Sequence, residues 1–187
     1  MDKYTQFNRE LWDEWTVIHA RSSFYNVEGF KAGCCTLHPI ELEALGDVTD
    51  KTLLHLQCHF GMDTLSWARR GAHVTGVDFS EDAIALARAL SQELGIPAVF
   101  VLSDIADLPT VLQGTFDIVF TSYGVIIWLP DLRRWGHVIA HFLKPGGTFF
   151  IAEFGLDHGV GHSNSLWARP KHLSTGGQGH ARTPMSC

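Results

Sequence analysis

Several apolar runs of the sequence end in groups able to hold a polar ligand. Leu53-Leu54-His55-Leu56-Gln57-Cys58-His59-Phe60-Gly61 reads as a strand that runs directly into a turn and then a helix. Gly61 lets the backbone approach a ligand closely, and the free amides that open the next helix favour an anionic group there. Taken alone, the segment is equally well a plain strand-to-helix turn. Val74-Thr75-Gly76-Val77-Asp78 is a second strand, and its terminal carboxylate comes 17 positions after Gly61. Such a carboxylate can accept from both hydroxyls of a ribose, or it can serve as a turn or cap residue before Ser80. Val101-Leu102-Ser103-Asp104 ends in a further acid, able to take the exocyclic amine of an adenine. Thr121-Ser122-Tyr123-Gly124 ends a fourth run with small and aromatic residues.

Alternating strands and helices are needed to bring these ends into one crevice. Residues 52–56, 73–77, 98–102, 116–121 and 148–152 form apolar runs without a polar face, which suits a parallel sheet covered on both sides. Helices are predicted between them over 63–70, 81–94 and 132–142. Ser80 can cap the second, Glu81 and Asp82 suit its positive end, and Gly95 with Pro97 stops it. Leu132, Trp135, Ile139 and Phe142 make one apolar stripe on the third, which ends at Lys144-Pro145-Gly146-Gly147. The fold class is α/β, a doubly wound and mostly parallel sheet. Upstream, Phe7, Leu11, Trp15 and Ile18 recur every three or four positions and predict an amphipathic helix over 6–20. A short helix should start at Pro39 and end at Gly46, after an aromatic-rich loop over 21–36. The organisation is then an N-terminal helical cap segment (1–50), a core (51–154) and a tail (155–187). That tail holds six Gly, four His and one acid, and its composition predicts disorder.

Composition narrows the partners. A net charge of -6 over 187 residues repels a phosphate backbone, so nucleic acid is not expected. No apolar run reaches the ~20 residues of a membrane-spanning helix, and the start of the chain is polar without a signal-peptide core, so a cytoplasmic protein is expected. Four cysteines with Cys34 and Cys35 adjacent make no disulfide framework. Eleven histidines without CxxC or HExxH give no metal site.

In order and spacing, LLHLQCHFG, VTGVDFS, LSDI, FDIVFTSYG, WLPDL and LKPGGTFFIAEF resemble the class I S-adenosylmethionine-dependent methyltransferases over about residues 50–154. The resemblance implies S-adenosylmethionine as cofactor. Residues His55, Leu56, Gln57, Cys58, His59 and Gly61 would pass around its methionine part. Asp78 would hold the ribose, Phe79 with Ser80 would flank the adenine, and Asp104 with Ile105 would read its edge. Ser122 and Tyr123 would lie near the sulfonium and the acceptor. His55, Gln57 and His59 stand where the family usually has an acid and glycines; LLHLQCHFG, with LWDEW and FYNVEGF upstream, resembles a bacterial branch that carries this variant. The family fold continues after its fifth strand with a helix and an antiparallel strand pair, which the glycine-rich tail replaces, so the fifth strand is expected as an exposed edge.

The expected function is methyl transfer to a small-molecule acceptor. Trp12, Tyr25, Phe30 and Trp128, with Phe24, are candidates for a lid or aromatic wall over the sulfonium. His59, Tyr123, His19 and Tyr25 are candidate bases, and the residues give no order among them, so the catalytic group stays unassigned. Two other readings remain open at this level: a cofactor-binding but inactive or truncated module, and an NAD(P)-dependent oxidoreductase, although the latter lacks GxGxxG at the first turn. Oligomeric state is not encoded in any feature read here.

Overall fold

In a computed structural model of the chain, residues 3–153 are described. Five strands, β1 (Thr52–Leu56), β2 (His73–Asp78), β3 (Val99–Leu102), β4 (Phe116–Ser122) and β5 (Leu143–Ala152), pair in the order β3-β2-β1-β4-β5. Every pairing is parallel, so the chain crosses over between consecutive strands through α4 (Met62–Arg69), α5 (Glu81–Leu94), α6 (Leu108–Val111) and α7 (Leu132–Phe142). Ahead of the sheet lie α1 (Lys3–Arg21), α2 (Val27–Lys31) and α3 (Pro39–Leu45).

Strand periodicity distributes the core. On β1, Leu53 packs on one face with Trp67, Val74 and Phe120, while Leu54 and Leu56 face the other side with Val77, Ile139 and Phe142. A third cluster joins Phe30, Phe60, Leu65, Ile84 and Phe100 beneath α5. The α5 caps are as read from the sequence: Ser80 Oγ accepts from Ala83 N, and Gly95 takes the left-handed conformation at φ 63°. Gly76 is required by packing, because a Cβ there would stand 2.8 Å from the Phe100 ring and 2.9 Å from Cys58 Sγ.

The structure differs from the sequence reading in its short elements. Residues 21–36 contain α2, opened by Asn26 at φ 46° with its side chain accepting from Gly29 N. Five residues are too few to show a helical period. Likewise α6 and a turn of 3-10 helix at Ile126–Trp128 carry no periodic signal. Lys144-Pro145-Gly146-Gly147 does not stand between helix and strand but forms the start of β5, whose register against β4 shifts between Phe116 and Ile118. Lys144 Nζ lies 2.9 Å from both carboxylate oxygens of Asp117, which also accepts from Thr52 N and Oγ1. These bonds, from Thr52 first and Lys144 next, hold the Asp117 carboxyl below its usual range and tie the starts of β1, β4 and β5 together. The expected tail and Cys187 lie outside the described residues.

Two glycines give opposite expectations. Gly76→Ala should lower stability by about 1–3 kcal/mol through overpacking. Gly136→Ala, mid-way along α7 with open space around the new methyl group, should raise it by about 0.5–1 kcal/mol. Urea unfolding of the two variants beside the wild type checks both signs.

Candidate functional site

A cavity of about 940 Å³ opens at the C-terminal ends of the strands, where a doubly wound sheet binds its ligands. Its floor is the first turn, Gln57 to Gly61. Gln57 (φ 52°), His59 (φ 51°) and Gly61 (φ 75°) all take left-handed backbone conformations, so two side-chain-bearing residues occupy geometry that favours glycine. Their strain is held by the neighbouring strand: Cys58 N donates to Val77 O at 2.9 Å, and His59 N donates to Asp78 Oδ2 at 2.8 Å. Asp78 Oδ1 accepts from Ser80 N at 3.0 Å. Burial pushes the Asp78 carboxyl up to about 6 against the opposing pull of those amides. A carboxylate offers about four acceptor positions, so the bonds from the Ser80, His59 and Phe79 amides leave capacity for a ribose hydroxyl.

His55 is 2% exposed; its Nδ1 lies 2.8 Å from Thr64 Oγ1, and burial lowers it to about 3. The ring is therefore neutral, and among the described residues its buried Nε2 has no hydrogen-bond partner. His59 is likewise lowered to about 3, by burial and then by His19. Its ring stands at 5.3 Å from Trp12, 5.2 Å from His19 and 5.4 Å from Tyr25. Trp12 also meets Trp128 edge to face at 5.5 Å, so α1 closes over the first turn and reaches the segment after β4. Asp13 on α1 fixes this placement by accepting from Ser80 Oγ and Asp82 N at the start of α5.

A family model described as a methyltransferase domain matches residues 53–147, half of the chain. The chain belongs to that family. Its all-parallel sheet with flanking helices is the fold that methyltransferase structures share. Among its relatives is a ubiquinone biosynthesis O-methyltransferase of Xanthomonas euvesicatoria pv. vesicatoria (strain 85-10), 27% identical over 153 residues, covering 80% of this chain and 63% of that protein. A solved structure described under the conversion of a disulfide bond into a thioacetal group during echinomycin biosynthesis is 31% identical. It superposes with a TM-score of 0.55, covering 63% of this chain and 50% of that one. Geranyl diphosphate C-methyltransferase from Streptomyces coelicolor A3(2) shares the fold at 22% identity and a TM-score of 0.54, over 60% of this chain and 42% of its own. The chain thus spans 63% or less of the length of these relatives.

Within this methyltransferase fold, His55, Gln57, Cys58, His59, Gly61, Asp78, Phe79, Ser122 and Tyr123 line the cavity, as do Trp12, Tyr25, Phe30 and Trp128. Phe30 is a wall rather than a lid: it is 1% exposed, with the Arg69 guanidinium 4.2 Å over its ring. Leu56 and Ser80 stand behind the lining, in the core and as the α5 cap. Asp104 and Ile105 lie outside it too: Asp104 Oδ1 accepts from Ala106 N at 2.7 Å, and Ile105 packs in the cluster under α6 and α7.

Three carboxyl groups were not marked by any strand-end pattern. Asp63, in the first turn of α4, is half-buried, accepts from Ser122 Oγ at 3.1 Å and is raised mainly by desolvation. Glu153 follows β5 and accepts from Gly124, Val125 and Ile126 N at 2.6 to 2.8 Å, shaping the turn after β4. Glu41, fully buried on α3, accepts from His38 N and from the Tyr123 hydroxyl. Burial first, and the Asp63 charge second, push Glu41 up to about 8. The signal for Glu41 was its place three residues after His38, a capping-box spacing.

A folded-state pKa raised this far means that stability is complete below the ordinary carboxyl range and is lost as pH rises toward 8. Glu41→Gln should therefore stabilise the chain by on the order of 2 kcal/mol at pH 8 and leave it unchanged at pH 4. Thermal unfolding at the two pH values reads the difference directly.

Proposed function

We propose that the protein is an S-adenosylmethionine-dependent methyltransferase acting on a small-molecule acceptor. One observation carries the reading: among the described residues, the cavity is lined by Asp63, Asp78 and Glu153 and by no Lys or Arg. Such a site suits a ligand whose charge is positive, as a sulfonium with an ammonium group is. A nicotinamide dinucleotide would bring a pyrophosphate to this negative site, where neither GxGxxG nor a basic side chain awaits it. The size supports a second ligand, since about 940 Å³ lies at the upper end of the ~300–1,000 Å³ typical of small-molecule sites. The S. coelicolor neighbour, named as a complex with S-adenosyl-L-homocysteine, supports the same cofactor.

When bound, the cofactor supplies an activated methyl carbon, and the protein's part is alignment and exclusion of water. Asp78 accepts from the ribose hydroxyls, and Phe79 offers a face to the adenine. Trp12, Tyr25, His59 and Trp128 wall one side of the crevice and present ring edges and faces to positive charge. Burial lowers His59 to about 3, which makes it a weak base, lowers His19 as well, and raises Tyr25 and Tyr123. Positioning is therefore the main catalytic contribution of these residues. The aromatic walls suit an acceptor with an apolar, ring-bearing body, and the O-methyltransferase relative of ubiquinone biosynthesis supports an oxygen as the receiving atom. The net charge of -6 argues against nucleic acid as that acceptor.

Calorimetric titration with S-adenosylmethionine, S-adenosylhomocysteine and NAD tests the reading. Micromolar binding of the first two, roughly -8 kcal/mol, and none of NAD is expected. Asp78→Asn should weaken the binding by about 1.5–3 kcal/mol. A folded wild-type chain that binds NAD and neither sulfur ligand overturns the proposal.

A further inference from the structure

The cofactor reading leaves the ammonium group of the amino-acid tail without its usual partner, because a neutral histidine, His55, occupies the acidic position at the end of β1. Asp63 differs from the other carboxylates of the cavity in what it is bonded to. Asp78 and Glu153 each accept from two or more backbone amides, which satisfy them inside the protein. Asp63 is half-buried, its hydrogen bonds come from hydroxyls, Ser122 at 3.1 Å and Thr36, with His38 a weaker electrostatic neighbour, and among the described residues it stands in no ion pair. Its carboxylate adds to shifts that burial dominates: burial first and Asp63 second raise Tyr25 and Glu41, and Asp63 contributes less to the rise of Tyr123 and Cys58. Two neighbours thus stay neutral hydroxyls, and Glu41 is pushed toward its protonated form.

A second observation points to a ligand here. His55 belongs to the same lining, and its buried Nε2 has no partner among the described residues, although a neutral imidazole nitrogen offers a hydrogen bond in either tautomer. Topology gives the direction of the ligand. Asp78 ends β2 on one side of β1, whereas Ser122, which holds Asp63, ends β4 on the other. An extended ligand lying across the end of β1 meets both carboxylates.

We infer that Asp63, oriented by Ser122, is the anchor for the α-ammonium of the cofactor's amino-acid tail, replacing the acid that the first strand lacks. The inference rests on the cofactor reading above. Entry of an ammonium also reverses the burial penalty on this carboxyl, since an opposite charge favours its ionised form.

A cycle of two variants of the same contact tests it, one in the protein and one in the ligand. The full chain and Asp63→Asn are titrated with S-adenosylhomocysteine and with its analogue lacking the amino group. Asp63→Asn should bind S-adenosylhomocysteine roughly thirtyfold or more weakly than the wild type. The wild type should lose a similar factor on the deaminated analogue, and the variant should no longer discriminate between the two ligands. If Asp63→Asn fails to fold, the wild-type comparison still decides: equal affinity for both ligands overturns the assignment, and a large loss supports it. Retained discrimination by a folded Asp63→Asn overturns it as well. A wild type that binds neither ligand removes the cofactor reading and this inference with it, whereas binding with no role for Asp63 removes only the inference.

Discussion

Asp78 ends β2 with its side chain buried, and its carboxylate accepts from His59 N of the first turn and from Ser80 N ahead of α5. That pair of bonds joins three elements at one point. It holds Gln57 and His59 in left-handed geometry that their own side chains disfavour, and it sets the direction in which α5 leaves the sheet. The lid depends on the same point. His59 reaches the rings of Trp12, His19 and Tyr25 only because its backbone is held there, and Asp13 of α1 docks on the Ser80 that Asp78 positions.

Charge gives the crevice its preference. Burial costs a carboxylate most when no cation compensates it, and here Asp63, Glu41 and Asp78 are all raised by burial and, among the described residues, stand in no ion pair. The histidines take the opposite course and stay neutral, His55 and His59 both near 3. The result is an aromatic chamber with carboxylates on two sides of β1 and no fixed positive charge in its lining. A cationic ligand is what such a chamber lacks electrostatically.

The sheet was legible because its signals are long and redundant. Apolar runs at regular intervals, Ser80 before Glu81, and Gly95 after Leu94 all agree on the same elements. The strand ends at Asp78 and Ser122 and the turn that follows β1 were legible for the same reason, since a strand followed by a turn fixes where its last side chain points. Asp63, Glu41 and Glu153 were not. Asp63 reads as an ordinary first-turn acid and Glu41 as an ordinary helix residue; only the packing of α4 against Ser122 brings Asp63 into the cavity lining, and that of α3 against Tyr123 sets Glu41 behind it. Asp104 shows the converse: its strand-end position is real, but its carboxylate turns back onto Ala106 N. Short elements such as α2 and α6 escaped because they are fixed by tertiary contacts and caps rather than by a repeating pattern.

The most direct measurement is a crystal structure of the chain with S-adenosylhomocysteine. The account predicts the ligand across the end of β1, its ribose hydroxyls on the Asp78 carboxylate and its amino-acid tail toward Ser122. Density for the ligand elsewhere, or in this cavity with the ribose away from Asp78, would contradict it.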